Sequence, residues 1–174
     1  MSLQGHSVQF YNDDTFFFTE SVAHFIKEGL QVNDTVIIVA TPRHREELQN
    51  VLTPEHMTHP KLIFSDAEEL LSKFLVNDWP NALRFRQVIG AMVAQARQHG
   101  PVRIFGEMVA ILWAGGKAQA AIHLEELWNK LIAEQSFALL CGYPLSNFSN
   151  DQVSLCAVSQ LHSHVHTEVP PTSA

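Results

Sequence analysis

The chain has 174 residues, 46% hydrophobic and 17% charged, which is the composition of one globular domain with a full apolar core rather than of a disordered or fibrous segment. Eighteen acidic residues against eleven basic ones give a net charge of −7, a field that opposes nucleic acid and anionic lipid, so direct DNA binding is not expected. No apolar run reaches the ~18 residues of a membrane span, and with no signal-peptide pattern Cys141 and Cys156 read as reduced thiols of a cytoplasmic protein.

His6 to Tyr11 reads as a strand, with Val8 and Phe10 alternating against polar partners. Asn12-Asp13-Asp14 supplies a turn and a helix N-cap, and Phe17, Val22, Phe25, Ile26 and Leu30 line one face of a helix closed by Gly29. Thr35 to Ala40 follows, its unbroken Val36-Ile37-Ile38-Val39 core having no polar side, as in a central parallel strand covered on both faces. Thr41-Pro42 starts a helix to about Leu52. Lys61 to Phe64 is a third strand, Ser65-Asp66 leads into a helix to Val76, and Pro80 begins a longer one to about His99. Val102 to Phe105 is a fourth strand. After Gly115-Gly116 come a helix from Ala118 to Glu134, a fifth strand from Phe137 to Cys141 and a closing helix from Asn150 to Leu161. Alternation of short β-rich runs with helical stripes predicts a three-layer α/β fold, a mostly parallel central sheet of about five or more strands flanked by helices. Residues 1–165 form the domain, and 166–174, with Pro170-Pro171, a flexible tail or linker.

Ligands of open parallel sheets bind outside the carboxyl ends of the strands. The first strand–helix turn carries neither G-x-x-x-x-G-K-[ST] nor G-x-G-x-x-G, and Asp13 and Asp14 repel phosphate, so no nucleotide and no other cofactor is expected. Glu107, directly after the fourth strand in Phe105-Gly106-Glu107-Met108, is the leading candidate for a carboxylate in the crevice, although the dipole of a following helix also favours an acid there. Tyr11 and Tyr143 end strands at the same edge and couple a ring to a hydroxyl, with a core role open for both. His6 sits at the amino end of its strand, away from that crevice, and reads as capping the sheet through one hydrogen bond. Cys141 reads as a small buried hydrophobe before a nucleophile.

Glu125-Glu126 reads as a solvated pair, since a glutamate turned inward beside Leu124, Leu127, Trp128 and Leu131 would need a partner. His162, His164 and His166 alternate, which on a strand would put three imidazoles on one face in the manner of a metal site. That run leads into a Pro-Pro tail rather than a rigid frame, so no metal is assigned. His56 and His59 lie in a loop between Pro54 and Pro60.

Gly5-His6-Ser7-Val8-Gln9-Phe10-Tyr11, then Val36-Ile37-Ile38-Val39-Ala40-Thr41-Pro42-Arg43-His44, Phe105-Gly106-Glu107-Met108-Val109, Glu126-Leu127-Trp128-Asn129 and Leu140-Cys141-Gly142-Tyr143-Pro144 follow one another in an order and spacing that resembles the MEDS family, the methanogen/methylotroph DcmR-type sensory domain, over roughly Gly5 to Val165. The resemblance implies a RecA/KaiC-like domain without a phosphate loop, a non-catalytic input module for small organic molecules, joined in prokaryotes to histidine kinases or transcription regulators. By motif position it marks His6, Tyr11, Glu107, Trp128, Cys141 and Tyr143. No segment reads as a kinase or a helix-turn-helix, so an output module is expected in cis beyond the Pro-Pro segment or in trans, and a homodimer is the prior for such a domain. Two readings from other classes compete: a protein-interaction module with no small ligand, and an enzyme using Glu107 as general base or the histidines with zinc.

Overall fold

The computed structural model describes residues 5–12, 15–149 and 151–167. In chain order the elements are β1 (His6–Tyr11), α1 (Thr15–Gln31), β2 (Thr35–Ala40), α2 (Pro42–Val51), α3 (Pro54–Met57), β3 (Leu62–Asp66), α4 (Ala67–Ser72), β4 (Leu75–Val76) and β5 (Trp79–Pro80). There follow α5 (Ala82–Phe85), a π-turn (Arg86–Gly90), α6 (Ala91–Arg97), β6 (Val102–Gly106), α7 (Met108–Ala114), α8 (Ala118–Gln135), β7 (Ala138–Pro144), a 3-10 turn (Leu145–Phe148), α9 (Gln152–Gln160) and β8 (His164–Thr167). Six strands form one sheet in the order β3-β2-β6-β7-β1-β8, every neighbour parallel, and β4 and β5 form a separate antiparallel hairpin.

Strand alternation sorts the side chains into two layers of core. Val8, Phe10, Ile37, Val39, Ile104, Leu139, Cys141 and Tyr143 face α4 to α9. Val36, Ile38, Ala40, Phe105 and Leu140 face α1 and α2. Val36 to Val39 are fully buried, as a central parallel strand requires. The three-layer α/β architecture expected from the periodicity is the architecture found.

The sheet has one more strand than the five read from sequence. His164-Val165-His166-Thr167 pairs with β1, so His166 and Thr167, assigned above to the tail, belong to the sheet. His164, Val165 and His166 are all exposed on this edge strand, and a single valine between histidines gives no alternating apolar signature.

The helix expected to reach Val76 stops at Ser72, because Asn77 and Asp78 both take positive φ (51° and 61°) and close the β4–β5 hairpin, the geometry of a two-residue type I′ turn. The longer helix then starts at Ala82, its N-cap Asn81 accepting from the Arg84 amide (3.0 Å), and a π-turn interrupts it. Gln135 Nε2 donates to the Gly90 carbonyl inside that turn (3.1 Å).

Gly29 does not end α1, which runs two residues further. A Cβ at Gly29 would lie 2.6 Å from Arg103 Cδ and Val36 Cγ2, so the glycine makes room for the buried Arg103 rather than a cap. Arg103 spends its guanidinium on Asp34 (2.8 Å) and Glu28 (3.3 Å). The turn and cap assigned to Asp13 and Asp14 lie outside the described residues, as does the side chain of Phe17. His56 belongs to α3, a single capped turn rather than loop. Among the described residues no helix is long and apolar enough to cross a membrane.

Candidate functional site

His6, Val8 and Phe10 point to the α8 side of the sheet, and parallel pairing brings Cys141 beside Val8 and Tyr143 beside Phe10. Onto these residues α8 lowers Glu125, within the buried run of Leu124, Leu127, Trp128 and Leu131. The turn between α9 and β8 adds His162, held close because the Ser163 amide donates to the His6 carbonyl (2.6 Å). One carboxylate oxygen, Glu125 Oε2, lies 2.9 Å from His6 Nε2, 3.1 Å from His162 Nε2 and 3.6 Å from Cys141 Sγ. The other, Oε1, accepts from the Tyr143 hydroxyl at 2.8 Å. His6 Nε2 is also 3.2 Å from Cys141 Sγ, and the two imidazole rings stand 4.0 Å apart.

The outer nitrogens of both imidazoles are fixed. Asn129 Nδ2 donates to the Leu161 carbonyl (2.9 Å), which orients the amide so that its Oδ1 accepts from His6 Nδ1 (2.8 Å). The Val158 carbonyl accepts from His162 Nδ1 (2.7 Å). Each ring therefore carries hydrogen on Nδ1 and presents Nε2 to Glu125. His162 Nε2 is close to the carboxylate but misaligned, and this buried nitrogen has no hydrogen-bond partner.

Glu125 is fully buried, and burial works to raise its pKa; the pull of the facing His162 and His6 imidazoles on the charged carboxylate outweighs it and holds the carboxyl down at about 2. Burial, and then the Glu125 charge, push the Cys141 thiol and the Tyr143 phenol well above their ordinary values.

A second constellation lies at the carboxyl edge. Glu107 follows β6, is 3% exposed, and accepts from the Thr41 amide (3.0 Å) and from His44 Nδ1 (2.8 and 2.9 Å to its two oxygens). It thereby ties the β2–α2 turn to the β6–α7 turn. Phe18 packs on the His44 ring at 4.2 Å, and Tyr11 meets both rings, at 4.6 Å from Phe18 and 6.5 Å from His44. The His44 side chain is 15% exposed, and its Nε2 has no hydrogen-bond partner among the described residues. A neutral imidazole that donates from Nδ1 leaves Nε2 as an acceptor.

Residues 5–162 match the family model described as MEDS, MEthanogen/methylotroph, DcmR Sensory domain. The chain belongs to the MEDS family. No curated protein matches it.

The six residues marked in this MEDS domain fall into two groups on opposite faces of the sheet. His6, Cys141 and Tyr143 converge on Glu125, and Trp128, one turn further along α8, packs edge-on against Phe85 at 5.3 Å in the surrounding core. Tyr11 and Glu107 stand with His44 at the carboxyl edge.

Sequence reasoning missed Glu125, Asn129, His162 and His44 as members of these groups. Glu125 is the inward one of its pair and has partners, contrary to the solvated reading, while Glu126 is exposed. The three alternating histidines do not share a face: His162 turns into the core before the strand begins, and His164 and His166 are exposed. The available signals were the inward register of Glu125 on the α8 stripe and His44 two positions after Pro42.

Proposed function

We propose that this MEDS domain is a non-catalytic sensory input module of a prokaryotic signal-transduction system that takes a small organic ligand at the carboxyl edge of the sheet. The observation that carries the reading is the partly exposed His44, with Nδ1 held by Glu107, its ring against Phe18 and Tyr11, and Nε2 without a hydrogen-bond partner among the described residues. That arrangement offers one acceptor beside aromatic surface, matched to a small molecule with a hydroxyl or carboxylic acid donor and an apolar body. Glu107 serves as the positioning residue, fixing the tautomer of His44 rather than meeting ligand with its own occupied oxygens. β1 ends at this edge in Tyr11 and pairs with β8. A ligand that favours one arrangement of β1 biases the closing α9–β8 segment and, through it, a kinase or regulator output in cis or in trans.

A thermal-shift panel of small alcohols, organic acids and halogenated hydrocarbons tests this reading on the wild type, His44→Ala and Glu107→Gln. Ligand at about 100 times its dissociation constant adds roughly 2.7 kcal/mol, a rise of several degrees in a domain this size. A compound that stabilises the wild type and loses its effect in His44→Ala is the expected result. A silent panel overturns it in favour of a partner-binding module, for which the exposed Val76 and Trp79 of the β4–β5 hairpin and Leu83 of α5 are the surface to test.

A further inference from the structure

We propose that His6 Nε2, Glu125 Oε2, Cys141 Sγ and His162 Nε2 form a closed four-ligand site for one divalent ion of the zinc class. These atoms come from β1, α8, β7 and the α9–β8 turn, all lie within 4.8 Å of one another, and all four residues are buried. A tetrahedral zinc ion with bonds of about 2.0 Å to nitrogen and oxygen and 2.3 Å to sulfur needs its ligand atoms about 3.3–3.6 Å apart. Four of the six separations are 2.9 Å for His6–Glu125, 3.1 Å for His162–Glu125, 3.2 Å for His6–Cys141 and 3.6 Å for Cys141–Glu125, and the two from His162 Nε2 to His6 and Cys141 lie within 4.8 Å, so binding opens the first three by a few tenths of an ångström and draws His162 in by up to about 1 Å.

The ring tautomers leave acceptors that a cation at this point would satisfy. With Nδ1–H of both rings committed to the Asn129 and Val158 oxygens, neutral imidazoles turn two lone pairs toward a carboxylate. The thiol hydrogen of Cys141 is then the single donor among three acceptors, and His162 Nε2 is left unpartnered in the core. Protonating one ring balances Glu125 as an ion pair but leaves the other imidazole without a partner, and protonating both leaves a net positive charge buried, since the cluster has no Asp or Glu other than Glu125. A divalent ion with one carboxylate, one thiolate and two neutral imidazoles sums to zero.

The surroundings are those of a ligating shell. Metal-bound histidines donate their second nitrogen to a carbonyl or carboxylate, as both do here, and the Tyr143 hydroxyl holds Oε1 so that Oε2 alone faces the centre. The thiolate and imidazoles select zinc-class ions over magnesium or calcium. Four protein ligands leave no open position, which makes the ion a structural or regulatory clasp between the α9–β8 segment and β1 rather than a catalyst.

The test uses the whole chain, stripped with a chelator and titrated with Co²⁺. One Co²⁺ per chain is expected, with the strong visible bands of tetrahedral coordination and a thiolate-to-cobalt charge-transfer band in the near ultraviolet, displaced by Zn²⁺ with a rise in melting temperature. Cys156→Ala and the double variant His164→Ala/His166→Ala, which alter exposed residues, are expected to leave these spectra unchanged. Cys141→Ser is expected to remove the charge-transfer band, and Asn129→Ala to weaken binding by about 10–100-fold. No uptake by the wild type, or a charge-transfer band lost in Cys156→Ala, overturns the site, and both results stand even if Cys141→Ser fails to fold. The site shares no residue with the His44–Glu107 pair, so a silent ligand panel and an absent metal are separate failures.

Discussion

Glu107 and Glu125 are both buried glutamates facing histidine, and the imidazoles meet them from opposite ends. His44 turns Nδ1 to Glu107, so that nitrogen supplies the hydrogen and the far nitrogen of a partly exposed side chain is turned away from the carboxylate. His6 and His162 turn Nε2 to Glu125, having spent Nδ1 on neighbouring oxygens. The Glu107 carboxylate also takes a backbone amide, from Thr41, whereas Glu125, in the middle of α8, has side chains alone as partners in the cluster. The same two residue types thus make a self-sufficient tether on one face and a centre that wants a cation on the other. Which ring nitrogen faces the carboxylate decides between them.

The largest effect that would test this contrast is Glu125→Ala in chelator-treated protein, where metal loss is not confounded with it. Removing the carboxylate takes away the acceptor of Tyr143 and the charged group that two buried imidazoles face. A loss of about 3–5 kcal/mol is expected for breaking a buried ionic group in this way. Urea denaturation measures it, and a loss under 1 kcal/mol would show that the cluster does not depend on the carboxylate.

Tyr143→Phe probes the same centre more gently. The variant keeps the ring against Phe10 and Phe148 and deletes only the hydroxyl that donates to Glu125 Oε1. A hydrogen bond to a charged group is worth about 1.5–3 kcal/mol, and that is the destabilisation expected by the same measurement. A neutral result would mean that the two oxygens of Glu125 are not differently employed.

The contrast was only partly legible in the sequence. Alternation along β1 and β7 sets His6 in register with Val8 and Phe10, and Cys141 with Tyr143, because a period of two is a local property. Their convergence on Glu125 is not local, since His6 and His162 reach it from opposite ends of the chain. The α8 stripe narrows the inward glutamate to one of two, and only the partners identify Glu125. His162 looks like the first of an exposed alternating trio until the turn before β8 sends it inward. At the other edge, Glu107 was visible from its place after a strand, but His44 sits on a helix start where the Thr41-Pro42 cap draws the reading.

Glu107→Gln has the smallest expected effect on stability and says most about the tether. Glutamine keeps one carbonyl oxygen, enough to accept from the Thr41 amide or His44 Nδ1, and loses the charge and the second acceptor that now spans both. About 1 kcal/mol of destabilisation follows from weakening one such bond at a partly exposed histidine. Because His44 then swaps more freely between its two tautomers, Nε2 ceases to be a dependable acceptor, and the stabilisation by any ligand found on the wild type is expected to fall while the fold holds. Ligand-induced shifts on the two proteins, read beside their urea midpoints, separate the effects. An unchanged ligand shift would mean that Glu107 ties two turns together and leaves the ring of His44 to Phe18 and Tyr11 alone.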